Sequence, residues 1–276
     1  MQWIELRKDE LRAAICPEKG GLLAQLSLEG QDFLYLDEEN LRSRERPRCG
    51  VPFLFPMFGR LQDSRYTWAG NTYPMDIHGF GHTSPWSVVS RSEDEVVLLL
   101  ESGPETKRQY PFDFRVTLTY RLEFSQLHIG LRIENTGTEP MPYNYGFHPY
   151  FLTDRPEAVE VEARAEAKVD FSSGNMLPFG HDVVKLRIPQ GAPEAGAALA
   201  GLKSPTCIYV TGENRMLTMA QDESFTQLIF WAQAGKPFLC VEPINGSPNG
   251  LNTGNYLTLN PGEVKEAFLN LRPRTH

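Results

Sequence analysis

Through its middle the chain alternates apolar and polar positions. Phe114-Arg115-Val116-Thr117-Leu118-Thr119-Tyr120 and Leu127-His128-Ile129-Gly130-Leu131-Arg132-Ile133 carry an apolar side chain at every second place. Successive side chains of a strand point to opposite faces, so each run reads as a strand with one buried face. Together they predict a hairpin turning at Glu123 to Gln126. Runs at 86–90 and 95–100 precede them, and others at 226–231, 238–241, 256–259 and 267–271 follow, short and bounded by Gly, Pro, Asn or Asp. Helical stripes are nearly absent. The best candidates are 38–44 and 194–202, and the second lies in an Ala/Gly/Pro-rich stretch that reads equally as loop. Spread over the chain are 23 glycines and 21 prolines, which long helices would not tolerate. The pattern predicts roughly 16 to 20 strands in an all-β fold, a large antiparallel β-sandwich of two sheets packed face to face. Crossover helices for a parallel α/β sheet are missing.

Composition changes this picture little. A length of 276 residues allows one large domain or two ordinary ones. No linker, charge block or repeat divides it, so residues 1–276 read as a single domain. With 27 basic against 35 acidic residues, the net charge is -8. That makes nucleic acid and anionic membrane surfaces poor partners. The amino terminus is charged and lacks a signal-peptide apolar stretch, and the longest aliphatic run is only 96–100. Cys16, Cys49, Cys207 and Cys240 are scattered, with no CxxC pair. They read as reduced thiols in a cytoplasmic protein, a monomer or homodimer.

The common chemical motifs fail. No phosphate-binding loop occurs, since Gly235-Lys236 runs into a proline, and no GxSxG elbow is present. His78 and His82 lie four apart, but the glycines between them argue against a helix and no nearby Cys or carboxylate pair completes a metal site. Neither metal nor cofactor is expected.

Four segments keep polar residues in apolar company. Arg48-Cys49-Gly50-Val51-Pro52-Phe53-Leu54-Phe55-Pro56-Met57-Phe58-Gly59-Arg60 reads as a buried irregular or edge segment. Its closing Arg60 reads alone as a surface cap, or as a clamp for hydroxyls and carboxylates. His78-Gly79-Phe80-Gly81-His82 lets backbone approach something closely, a ligand or otherwise. Tyr143-Asn144-Tyr145-Gly146-Phe147-His148-Pro149-Tyr150-Phe151 sets one histidine among five aromatics, either a core strand or a wall for the apolar face of a pyranose. Pro237-Phe238-Leu239-Cys240-Val241-Glu242-Pro243 ends an apolar strand in a carboxylate, which burial would make a stronger base. Both His148 and Glu242 precede a proline and so favour extended backbone.

On these motifs the chain resembles the aldose 1-epimerase (galactose mutarotase-like) family. The matches are Gly146-Phe147-His148-Pro149-Tyr150-Phe151, then Cys240-Val241-Glu242-Pro243 with Asn249 and Asn252, and His78-Gly79-Phe80 and Gly59-Arg60. They span nearly the whole chain in family order. The resemblance implies a large antiparallel β-sandwich and the interconversion of α and β anomers through an open-chain aldehyde, without cofactor or metal. It implies Glu242 as general base and His148 as general acid, protonated with help from a nearby carboxylate. It implies His78 and Arg60 as substrate-binding residues. His128 is left as a strand-face histidine.

Two departures concern the substrate. In the hexose-6-phosphate branch the second motif reads HGFAR, its Arg holding phosphate, and His82 stands there here. The branch's RGG arginine is kept as Arg48 but without the first glycine. With the acidic net charge, these favour a free aldose over a hexose 6-phosphate. A non-catalytic sugar-binding protein on the same scaffold is the reading from another class, disfavoured by the presence of both Glu242 and His148. The family's additional substrate Asp has no convincing counterpart; Asp182 and Asp222 are the nearest.

Overall fold

The computed structural model describes residues 2–170, 176–210 and 215–275. Nearly all regular structure is strand. Ile4–Lys8, Leu11–Cys16, Leu22–Leu28 and Gln31–Asp32 form a four-stranded antiparallel sheet. A 15-stranded sheet carries most of the rest. One end of it is built from Phe53–Leu54, Gly146–Phe147, Phe238–Ile244 and Gln227–Gln233. The other end is built from Val264–Thr275, Gln126–Asn135, Phe114–Glu123, Glu95–Glu101 and Ser87–Arg91.

The expected hairpin is present. Phe114–Glu123 pairs with Gln126–Asn135 from Phe114 opposite Asn135 to Glu123 opposite Gln126. Leu118 lies between Leu98 and Leu131, so three strands stack leucines on one face. The two ends of the long sheet meet. Phe55, beside its first strand, lies 5.3 Å ring to ring from Phe114, and Phe53 lies 5.9 Å from Trp86. One buried cluster therefore runs from Ile4 to Leu271. The β-sandwich is as expected, but it is one sheet brought round on itself and closed by the small amino-terminal sheet, not two separate large sheets. Tyr120 ties the small sheet in, its hydroxyl donating to the Gly21 carbonyl at 2.7 Å.

The two helix candidates part company. Glu38–Arg42 is a short helix whose N-cap Asp37 accepts from the Asn40 amide at 2.9 Å. Glu194–Ala200 is a strand against Gln227–Gln233, setting Gly196 opposite Trp231 and Ala197 opposite Phe230. Small residues there make room for bulky partners, and packing overrides alanine's helix preference. All four cysteines are free thiols. Among the described residues no helix is long and apolar enough to cross a membrane.

Candidate active site

Phe238–Ile244 is buried along its whole length, which places Glu242 in the interior. On one side it pairs with Gln227–Gln233, with Ile229 opposite Glu242. On the other it pairs first with Gly146–Phe147 and then with Tyr150–Leu152. Pro149 has no N–H, so the ladder lapses at His148-Pro149 between those two short strands. The His148 amide donates instead to the Pro52 carbonyl at 2.9 Å. Gly146 lets these strands come close, since a Cβ there would stand 2.5 Å from the Ile244 side chain.

Nε2 of His148 ends 3.4 Å from Oε1 of Glu242. Both side chains are buried. The imidazole stacks flat on Tyr150 at 4.7 Å and meets Trp231 edge-on at 6.3 Å. The His78 ring lies 5.5 Å away at a near right angle. Gly59 donates its amide hydrogen to Nδ1 of His78 at 3.1 Å, so in the neutral ring Nε2 carries the hydrogen. The glycine after His78 has a different purpose from ligand approach. A Cβ on Gly79 would stand 2.4 Å from the Phe55 carbonyl, and that carbonyl accepts from both Phe80 and Gly81 at 2.9 Å. The motif is glued to the strand edge, and His78 is carried into the pocket by that attachment.

Desolvation controls the titration here. It drops His148 to about 3, with the Arg46 charge adding to the fall, and raises Glu242 well above the usual carboxylate range. Burial works against the charged form of each partner, the opposite pull from the carboxylate that the resemblance implies would keep His148 protonated. His78 also lies well below its ordinary value and His82 falls to about 3, both chiefly by burial.

Arg60, His78, His148 and Glu242 all line one pocket of about 390 Å³. That size is in the range of small-molecule sites. Arg60 is exposed, at the rim; the other three are buried. Asn249 and Asn252 work behind the pocket: Asn249 accepts from the Gln62 amide at 3.0 Å, and Asn252 donates to the Arg65 carbonyl at 2.9 Å. They tie the loop after Glu242 to the loop after Arg60.

The pocket also contains residues that sequence reasoning missed or misread. Of the five aromatics around His148 only Tyr150 lines it; the rest of the apolar wall includes Leu54, Phe58, Ile77, Ile229 and Trp231. Tyr143, Tyr145 and Phe147 are core. Trp231 sat in plain view within a strand run, and only its register opposite Cys240 and next to Glu242's neighbour Ile229 reveals its role. Arg46, Arg48, His82 and Glu194 are further polar residues of the lining. His128 is a sheet-face residue, with Nδ1 2.8 Å from the Asn270 side chain. Asp222 is held by Ser224 and Lys265 and Asp182 is exposed; neither lines the pocket.

One trio among the described residues could ligate a metal: His148, Cys240 and Glu242, with ligand atoms within 4.8 Å of one another. Two of the three, His148 and Glu242, are the close pair described above.

The chain is similar in structure to the Slr1438 protein of Synechocystis sp. PCC 6803, with a TM-score of 0.90, 28% identity, and 100% and 96% of the two chains covered. It shares the fold of a galactose mutarotase-like protein from Lactobacillus casei, with a TM-score of 0.84, 20% identity, and 99% and 100% covered. In sequence it is 26% identical to a putative glucose-6-phosphate 1-epimerase of Cenchrus ciliaris, over 85% of this chain and 73% of that one. The aldose 1-epimerase family profile matches residues 2–272, and the chain belongs to that family.

Proposed function

We propose that the protein is an isomerase that interconverts the α and β anomers of an aldose by acid/base ring opening and closure. The observation that carries this reading is the 3.4 Å approach of His148 Nε2 to Glu242 Oε1 at the buried end of a sugar-sized pocket. The hemiacetal hydroxyl and the ring oxygen are both bonded to C1. An acid and a base serving them must stand side by side, not on opposite sides of the ring.

A pair holding a single proton always contains one acid and one base. With the proton on His148, Glu242 takes the hydrogen of the C1 hydroxyl while His148 protonates the ring oxygen, and C1 becomes an aldehyde. Rotation about C1–C2 turns the other carbonyl face to the hydroxyl. The ring then closes with the roles exchanged. Burial opposes placing the proton on His148 in the empty pocket. A bound sugar, whose hydroxyls solvate both charges, favours it. His78 offers its Nε2 hydrogen to the charge developing on the ring oxygen. Phe58, Tyr150 and Trp231 cover the apolar face of the sugar.

Polarimetry or NMR exchange between anomers tests the reading. The wild-type protein should accelerate mutarotation of at least one aldose. Glu242→Gln should lower turnover by about 10²–10⁴-fold with the fold intact. Near-wild-type turnover in that variant would remove Glu242 as the base. Sugar binding without any acceleration would favour a carbohydrate-binding protein instead.

A further inference from the structure

Cys240 faces the acid/base pair and takes no part in the chemistry above. In the strand Phe238–Ile244 it stands two places before Glu242, so the two side chains share one face. The pairing of Tyr150–Leu152 with this strand sets Tyr150 opposite Cys240, and His148 stacks on Tyr150 at 4.7 Å. His148 is thereby brought over the same face. A ring nitrogen of His148, the Cys240 sulfur and a carboxylate oxygen of Glu242 all lie within 4.8 Å of one another, and all three residues are buried. A buried cysteine is ordinarily a small space-filler. This one adds a sulfur to a nitrogen and an oxygen that already converge.

The spacing is that of ligands around an ion. Tetrahedral bonds of about 2.0 Å to nitrogen and oxygen and about 2.3 Å to sulfur place neighbouring ligand atoms roughly 3.3–3.5 Å apart. His148 Nε2 and Glu242 Oε1 are 3.4 Å apart, longer than the usual N–H···O bond of about 2.7–3.2 Å. The sulfur has to close in by no more than about 1.3 Å. Charge fits as well. Thiolate and carboxylate cancel the two charges of a divalent ion, and imidazole binds in its neutral form, so the filled site has no net charge to bury. Binding sends the thiol proton, and any proton on the carboxyl group, to water. A mixed sulfur, nitrogen and oxygen set suits Zn²⁺, whereas Mg²⁺ takes oxygen ligands. His148 and Glu242 line the pocket, which gives the ion a way in and leaves its fourth position open to water.

We propose that His148, Cys240 and Glu242 form an inhibitory site for a thiophilic divalent cation of the Zn²⁺ class. An ion held there occupies the lone pairs with which the acid/base pair moves protons, so ring opening stops while the fold stands. The inhibition rests on the ring-opening function above, whereas the metal site stands without it.

Anomer exchange measured by NMR on the full chain, stripped of metal with EDTA and then given ZnCl₂, tests this. Zn²⁺ should lower turnover tenfold or more, added EDTA should restore it, and Mg²⁺ at the same concentration should leave it unchanged. Cys240→Ala should keep near-wild-type turnover without metal and need at least tenfold more Zn²⁺ for the same inhibition. Cys240→Ser, of nearly equal volume, serves as the second variant. Inhibition that both variants leave unchanged, as zinc on the exposed His181–Glu162 pair or on His148 and Glu242 alone would give, overturns the proposal. So does activation by Zn²⁺, or no effect of it. If no sugar is turned over, ring opening itself fails, and Co²⁺ as a spectroscopic probe still decides the metal site. Wild type should show a thiolate-to-cobalt charge-transfer band with the strong visible bands of tetrahedral cobalt. Loss of the charge-transfer band in Cys240→Ala supports the site; its absence from wild type, or its survival in Cys240→Ala, overturns it.

Discussion

The hairpin Phe114–Asn135 and the pocket end of the same sheet obey opposite rules. In the hairpin, burial alternates strictly and the outward charges pair across strands. Around the pocket, Phe238–Ile244 is buried at every position, strands shrink to two or three residues, and charges stand unpaired. The hairpin gains stability from repetition. The pocket interrupts the ladder with Pro149, buries an acid/base pair and keeps Arg46, Arg48 and Arg60 in its lining without ion pairs among the described residues. The difference teaches where function resides in a sheet protein: at the breaks in the pattern, where local preference has been given up for a site.

The sharpest way to break the comparison is to add a methyl group on each side. Gly79 has φ +70, and a Cβ there meets the Phe55 carbonyl at 2.4 Å. Both strands and backbone would have to shift, so Gly79→Ala should destabilise by about 3 kcal/mol. Gly130, in the hairpin, has ordinary strand geometry and only the tip of His128 within 3.3 Å. There alanine's lower chain entropy offsets the crowding, and Gly130→Ala should fall within about 1 kcal/mol of wild type. Urea unfolding of both variants measures this. A tolerated Gly79→Ala would mean that the His78 loop is not fastened to the strand edge as described.

These contrasts also explain what the sequence could reveal. The hairpin was legible because its period is local: each residue's face follows from its neighbours' spacing. The four candidate site residues stand out singly by the apolar company they keep, but only the family resemblance groups them, since no local rule brings His148 near Glu242 across almost a hundred residues of chain. Arg46 was invisible because its place depends on Asn40, which donates to the Arg46 carbonyl from a capped helix, and Trp231 because a pocket tryptophan and a core tryptophan look alike in an apolar run. The strand Glu194–Ala200 was misread because its alanines answer to Phe230 and Trp231 opposite, not to their own preference.

Acid separates the two regions by pH. His82 and His148 lie at about 3 in the fold, and His78 also lies well below its ordinary value of 6.5. A depressed histidine is neutral when folded, whereas the unfolded chain takes up a proton below 6.5. Their contribution is therefore present above pH 6.5 and lost as pH falls from 6.5 toward 3. Glu242, raised, works the other way over part of this window and offsets one histidine. The hairpin carboxylates are depressed: Arg121 lowers Glu123 and Arg132 lowers Glu134, so their contribution is lost only below the ordinary carboxylate range. Between pH 6.5 and 4.5 the slope of stability should thus come from the pocket. His82→Asn should reduce it by up to about 1.4 kcal/mol per pH unit. An unchanged slope would mean that water reaches His82 in the folded state.

The smallest effect is expected on the hairpin's own charges. Arg115 and Glu101 pair at 2.9 Å with their side chains about half exposed, at 46% and 49%. Two long side chains must be ordered to hold that pair, and water and salt screen what is gained. A double-mutant cycle with Arg115→Gln and Glu101→Gln should give a coupling energy below about 1 kcal/mol, shrinking further at high salt. A larger, salt-resistant coupling would show that the hairpin leans on its charges as well as its leucines. The unpaired arginines of the pocket would then be a greater sacrifice of stability than burial alone suggests, because the same kind of residue would be strongly stabilising elsewhere on the sheet.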